Sequence, residues 1–409
     1  MGNDPVIALR NTGFRRIAAT SLLVTLALMM QDVVVGYELY DRTRDPMVLG
    51  WMGLAEAFPY MALSLLGGHW ADRYNKRTIW LVGHAVMMIG AIWLWMVFEG
   101  FPGTFSDRET IAWVYFINFL NGITLAFSGP ALQSWIPLLL PPDQYGNSSA
   151  WNSASWQTGA ILGPVIGGFI YSIWGLSYAL LGMLALLAFA GFLIWLNTPP
   201  QKNETPIVHE GILASLKEGF RFVRQNPPIL YSITLDMVAV LFGGVVAILP
   251  VFVTEVLNVG ADGLGILRGS AALGAVLTTF LLTFLSPMRR AWRNLLFAVF
   301  AFGLATLVFA LSKSFMVSCV ALFLTGVFDS VSVVIRETLL QTLTPPEMRG
   351  RVSAVNGIFI KASNELGAFE SGLAAKLLGV VPSVVFGATA ALVTVAIVAA
   401  KTKNMWRGH

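Results

Sequence analysis

The stretch Pro141-Pro142-Asp143-Gln144-Tyr145-Gly146-Asn147-Ser148-Ser149-Ala150-Trp151-Asn152 returns 204 residues later as Pro345-Pro346-Glu347-Met348-Arg349-Gly350-Arg351-Val352-Ser353-Ala354-Val355-Asn356, identical at six of twelve positions. The same offset carries Leu162-Gly163 onto Leu366-Gly367 and Gly168 onto Gly372, so the register holds over some thirty residues without a gap. Because 204 is half of the 409-residue chain, the sequence reads as a tandem duplication.

Outward from this repeat the sequence is apolar. The chain is 56% hydrophobic and 12% charged, with a mean hydropathy of +0.71. An ordinary soluble domain carries about 25% charged residues, so a soluble globular protein is excluded. Stretches long enough to cross a ~30 Å hydrocarbon core fall near 17–40, 47–69, 79–98, 111–139, 147–173, 176–196, 229–256, 263–286, 294–312, 314–343, 350–379 and 382–400. They predict an all-α integral membrane protein with twelve transmembrane helices in two pseudo-symmetric six-helix bundles, residues 1–196 and 229–409. The polar segment 197–228 between them is the linker. In it Ile212, Leu213, Leu216, Phe220 and Val223 share one helical face, which predicts an amphipathic helix on the membrane surface. Parallel repeats of this kind occur in secondary transporters, with substrate bound at the repeat interface near mid-membrane.

Of the 26 Lys and Arg residues, eighteen fall on the side of residue 1, four on the opposite side and four within spans. Cationic loops face the cytoplasm, so both termini are predicted inside a bacterial cytoplasmic membrane. The polar residues through Arg10, Arg15 and Arg16 lead into an apolar stretch too long for a signal-peptide core, so no cleavage is expected. The net charge of +4 is therefore topological and points to no nucleic-acid partner. Cys319, the single cysteine, allows no internal disulfide and no cysteine-based metal site. His69, His84, His209 and His409 lack metal-ligand spacing. The sequence contains no H-E-x-x-H, no G-x-S-x-G and no glycine-rich loop ending in G-K-[ST], so neither an enzyme, a cofactor nor ATP drive is expected.

Gly67-Gly68-His69-Trp70-Ala71-Asp72-Arg73-Tyr74-Asn75-Lys76-Arg77 joins the second and third spans. Glycine lets a helix end approach its neighbour, an acid there favours the positive N-terminus of an adjacent helix, and the trailing cations stay at the surface. The pattern G-x-x-x-D-R-x-x-x-[KR], at this place in a duplicated twelve-span chain, resembles the major facilitator superfamily over essentially the whole length. The resemblance implies that Asp72, with Gly68, Arg73 and Arg77, is a latch bridging the halves at the cytoplasmic face, its acceptor the start of the eleventh span near Gly350. The second-half counterpart, residues 286–293, keeps the cations but lacks the acid.

Gly159-Ala160-Ile161-Leu162-Gly163-Pro164-Val165-Ile166-Gly167-Gly168 in the fifth span places small residues four apart, which permits close helix packing. Pro164 removes a backbone hydrogen bond and bends the span. The G-x-x-x-G-P-x-x-G-G pattern is similar to the motif marking antiporter-type exporters in that superfamily, and so implies export. The second-half equivalent, residues 363–372, has lost the proline and gained Glu365 and Glu370. With Arg336-Glu337 and Arg349-Gly350-Arg351 it resembles the enterobactin-exporter and macrolide-efflux branch, drug:proton antiporters.

A charge at the centre of a span costs about 2.5 to 3.5 kcal/mol. Asp32, Glu56, Asp236, Arg268, Asp329, Arg336, Glu337, Lys361 and Glu365 are therefore candidate functional residues. Asp32 lies 8 residues before Tyr40 and Glu56 lies 9 after Met47, at similar depth in the outer half of adjacent spans. No cation in the first two spans is placed to pair with them, and a carboxylate in low dielectric titrates nearer physiological pH, as proton coupling requires. Arg268, about 6 residues from the outer loop, is the one cation expected to clamp an acid across the halves. Asp329 and Lys361 each lie 16 residues from Pro345, a depth that allows them to pair, and Lys361 and Glu365 stack one turn apart. Arg336, Glu337 and Asp236 read as structural or gating residues. Glu38 and Glu255 read as solvated near the outer surface.

The function expected is proton-coupled export of small amphipathic molecules, drugs or siderophores, by a protein acting as a monomer in the bilayer. The alternatives are a lipid or lysophospholipid transporter and a non-transporting receptor on the same fold.

Overall fold

The computed structural model describes residues 6–141, 144–197, 212–282, 290–345 and 348–404. Within them the long elements are all helices: α1 (Thr12–Thr43), α2 (Met47–Arg73), α3 (Lys76–Glu99), α4 (Asp107–Leu139), α5 (Tyr145–Trp174), α6 (Leu176–Trp195), α7 (Ile212–Gln225), α8 (Pro227–Gly243), α9 (Val245–Glu255), α10 (Ala261–Leu282), α11 (Ala291–Leu311), α12 (Phe315–Leu343), α13 (Arg349–Leu378) and α14 (Val380–Lys401). In lipid every backbone polar group must be satisfied within its own segment, which leaves helices as the solution for such a chain.

Among the described residues nine segments are both long and apolar enough to cross a bilayer, α8 and α9 counting as one. The more polar α2, α5 and α13, of 27, 30 and 30 residues, complete the twelve spans in two six-helix bundles. Their outward faces are apolar: Ile89, Ile173, Trp174, Phe280 and Phe297 are each more than 60% exposed. A soluble protein does not tolerate that much exposed apolar surface; a lipid-facing one requires it.

The chain forms two compact units, residues 1–44 with 55–208, and residues 45–54 with 209–409. In the first, α1 is the central helix, packed between α5 and α6, while α3 packs on α4 and α6. In the second, α8 packs on α13 and α14, α10 on α12, and α11 between α12 and α14. The duplication shows in backbone contacts. A Cβ on Gly122 of α4 would overlap the Glu56 carbonyl of α2, and one on Gly326 of α12, 204 residues later, would overlap the Ala271 carbonyl of α10. Gly67 and Gly274 answer from the partner helices, against Ala126 and Phe323. Pro130, four residues after Ala126, cannot donate to that carbonyl, so the oxygen Gly67 covers lacks its helical donor.

Two expectations are modified. The seventh span breaks at Gly244 into α8 and α9, and Pro250 within α9 frees the Val246 carbonyl four residues back. The amphipathic helix α7 forms, but its inner face docks on protein rather than lying on lipid. Val223 is buried with Ile229, Ile233, Leu340, Val352 and Val355, Glu218 pairs with Arg351, and a Cβ on Gly219 would come 2.8 Å from the Arg351 carbonyl.

Candidate functional site

In the first unit the polar groups lie along α1 and the helices beside it. Gln31 is buried and its amide donates to Asn118 Oδ1 on α4 at 3.1 Å; Asn121, Thr124 and Ser128 continue a buried polar stripe along α4. Asp32 follows Gln31 and is half-buried, as is Glu56 on α2. The α5 glycines lie directly against α1. A Cβ on Gly159 would come 2.8 Å from the Leu22 carbonyl, one on Gly163 2.7 Å from the Leu26 carbonyl, and one on Gly167 2.7 Å from Met30 Cγ. Pro164 and Gly168 are buried beside them. The row thus reads α1 turn by turn up to Met30, two residues before Asp32.

Glu38 departs from the expectation of a solvated acid. Only 15% of its side chain is exposed; it accepts from Arg42 at 2.6 Å and from the Tyr171 hydroxyl at 2.6 Å, tying α1 to α5. Tyr37 sits edge-on to Tyr171 with ring centroids 5.4 Å apart. No local pattern marks this contact, because Glu38 and Tyr171 are 133 residues apart. Asn118 and Asn121, by contrast, are not among the candidates read from the sequence, yet they stand one turn apart in an apolar run, a signal that would have found them.

The loop motif resolves in part. Asp72's side chain and Gly350's surroundings lie outside the described residues. Gly67, not Gly68, makes the close helix approach, since among the described residues nothing comes within 4 Å of a Cβ on Gly68. Arg73 is exposed. Arg77 donates to the Trp195 carbonyl at 2.6 Å and Arg16 to the Leu196 carbonyl at 2.6 Å, so two cations cap the C-terminus of α6, where the helix dipole favours them.

The second unit holds the charged cluster. Asp236 of α8 and Arg336 of α12 form a buried ion pair, their side chains 8% and 10% exposed. Asp329, seven residues before Arg336 and therefore on the same face of α12, is exposed. Lys361 pairs with Glu365 at 3.1 Å and not with Asp329: the i, i+4 partner on its own helix is the nearer one. A Cβ on Gly53 would come 3.0 Å from Glu365 Oε2, so that glycine leaves the carboxylate its room. Glu337 points away and is exposed. Arg268 donates to the Val246 carbonyl at 3.4 Å, the one released by Pro250, giving it a backbone role in its own unit. No group of three His, Cys, Asp or Glu able to hold a metal occurs among the described residues.

Twelve spans in duplicated six-helix bundles, with polar and charged side chains buried along helices sealed by glycine contacts, define a membrane transporter. The chain belongs to the Major Facilitator Superfamily, which matches residues 17–368. The enterobactin exporter EntS of Shigella boydii serotype 4 is 24% identical over 371 residues, 90% of this chain and 84% of that protein. The enterobactin exporter EntS of Escherichia coli strain SMS-3-5 gives the same identity and coverage. Among solved structures, a bacterial homolog of the human lysosomal transporter Spinster, inward-facing and unoccupied, has a TM-score of 0.70 at 18% identity, covering 97% of this chain and 96% of that one. A D-xylose-proton symporter has a TM-score of 0.74 at 13% identity, covering 96% and 97%. These likenesses establish the fold.

Proposed function

We propose that the protein is a proton-coupled exporter of small amphipathic molecules, siderophore-like or drug-like, in a bacterial cytoplasmic membrane with both termini inside. Residues 1–196 and 229–409 are taken as the alternating halves, joined by 197–228. The observation that carries the reading is the glycine row of α5 seated on α1. It couples the helix bearing the exporter-type pattern to the helix bearing Asp32, so a change of packing along α5 reaches the carboxylate through backbone contact. The exporter relatives support the outward direction. In this reading Asp32, with Glu56, carries the proton, and Asp72 is the cytoplasmic latch.

The test is pH-gradient-driven uptake into inverted vesicles beside substrate exchange without a gradient, with drugs, siderophores and lysophospholipids as trial solutes. Asp32→Asn abolishes driven uptake and preserves exchange, because the amide imitates the protonated acid but cannot cycle. Driven uptake by Asp32→Asn and Glu56→Gln, singly and combined, refutes the assignment. A second reading then applies, favoured by the Asp236–Arg336 pair: Asp329 exchanges the proton, and its charge competes with Asp236 for the Arg336 guanidinium. Accumulation of lysophospholipids alone would replace the drug or siderophore class with a lipid.

A further inference from the structure

On the outward side of α11 and α12 lies an apolar trough of about 360 Å³, within the size range of small-ligand pockets. Its floor is alanine: Ala301, Ala305 and Ala321 are less than 10% exposed. Its walls are larger and stand out from the surface, Phe300 and Leu304 on one side and Val320 on the other, 46%, 47% and 52% exposed. One end is closed by Phe297 and Phe328, edge to face with centroids 6.2 Å apart. From Phe297 to Val308 it runs eleven residues along α11, about 16 Å at the helical rise. The other end opens toward the loop of Ser312, Lys313 and Ser314. Lys313 is exposed there, four residues before the lining residue Val317, and among the described residues it forms no ion pair.

The first unit shows that this hollow is not a necessity of the architecture. Trp93 lies six residues before the end of α3 and Trp113 six after the start of α4. Their indoles meet edge to face at 5.1 Å, and Phe116 packs on Trp113 at 5.9 Å. At the repeat offset of 204 residues, Trp113 and Phe116 stand where α12 has Val317 and Val320, both lining the trough. The helix pair with aromatic rings at these positions fills its seam from within; the pair with valines there leaves it open to the bilayer.

We propose that α11 and α12 form a phospholipid site: one acyl chain lies in the trough and the headgroup phosphate of an anionic lipid is held by Lys313. The wholly apolar lining suits a hydrocarbon chain. The blind aromatic end sets how deep the chain enters, and the single cation at the open end stands at the level of a headgroup, where its flexible stem reaches a phosphate. The site does not depend on which side of the membrane the loop faces.

The full chain, purified in micelles doped with dioleoyl phosphatidylglycerol or dioleoyl phosphatidylcholine, is compared with variants by native mass spectrometry. The expected result is one strongly retained phosphatidylglycerol. Ala305→Phe, which fills the trough from its floor, and Val320→Trp, which puts an aromatic ring where the first unit has Phe116, each lose it. Lys313→Gln lowers retention of phosphatidylglycerol about fivefold, the factor for one cation near an anionic surface, and leaves phosphatidylcholine nearly unchanged. Val320→Trp alters an exposed position and so decides the matter even where Ala305→Phe fails to fold. Undiminished retention in folded Val320→Trp overturns the trough as the acyl site, and an unchanged lipid preference in Lys313→Gln overturns the headgroup contact.

Discussion

Gly122 on α4 and Gly326 on α12 do the same work in the two halves, each letting its helix meet a partner backbone. The side chains around them have diverged. At the repeat offset, Asp329 and Arg336 of α12 stand where α4 has Leu125 and Leu132, while Asn118 of α4 stands where α12 has Leu322. The first half buries a neutral hydrogen bond, Gln31 to Asn118; the second buries an ion pair, Asp236 to Arg336. Duplication has preserved the backbone contact, which tolerates no added atom, and released the side chains, so the scaffold is symmetric and the chemistry is not.

The largest effect tests the shared part. Gly122→Leu and Gly326→Leu should each abolish folded protein in the membrane, since the added side chain collides with a carbonyl oxygen that cannot step aside. Measured as monodisperse yield after extraction, the two losses should match. Survival of one variant at normal yield would show that only one half needs the contact. Next comes the charged pair. Arg336→Leu, which copies Leu132 of the first half, leaves the buried Asp236 without its cation and should cost about 3–5 kcal/mol. Adding Asp236→Asn should recover most of it, because the uncompensated charge is then gone. Thermal unfolding of the single and double variants in detergent checks both. No recovery in the double variant would mean that the loss came from packing rather than from charge.

The fold was legible because hydrophobic length is a local property. Every span read from the sequence corresponds to observed helix, and the interruption at Gly244 belongs to a Gly-Gly pair that periodicity alone does not weigh. The pairing of Lys361 with Glu365 was legible too, being one turn of one helix. What was not legible depends on which helices become neighbours. Depth counting brought Lys361 level with Asp329, yet depth says nothing of rotation about the axis. Asp236 finds Arg336 a hundred residues away, and Glu38 finds Tyr171. Arg268 lies beside a carbonyl that only the break at Gly244 and Pro250 makes available.

The exporter-type helix gives an intermediate effect. Gly163→Leu forces atoms into the space held by the Leu26 carbonyl and Met29 Cβ, 2.7 and 2.8 Å from the position of an added Cβ. Overpacking of this kind costs about 1–3 kcal/mol. Transport in proteoliposomes should fall further than stability does, because α1 and α5 must stay in register. Gly367→Leu, at the matching second-half position against the Val240 and Leu241 carbonyls, sharpens the comparison. Equal transport losses would make the row a packing device common to both halves; a loss confined to Gly163 would tie it to the first.

The smallest effects separate a buried hydrogen bond from a half-buried ion pair. Asn118→Leu, again copying the other half, removes the Gln31 partner and should cost about 1–2 kcal/mol, since the Gln31 amide remains buried without it. Lys361 and Glu365 are 31% and 18% exposed and one turn apart. A double-mutant cycle of Lys361→Met and Glu365→Gln should therefore give a coupling of about 0.3–0.5 kcal/mol, the value for i, i+4 pairs on a helix. The stability cycle is then set beside a transport cycle on the same four proteins. If the pair is only a helix staple, the two couplings agree and transport hardly changes. A transport coupling several times larger than the stability coupling would mean that the charges act on the moving solute or on α2 at Gly53, and would place a second working charge pair in the half that already holds Asp236 and Arg336.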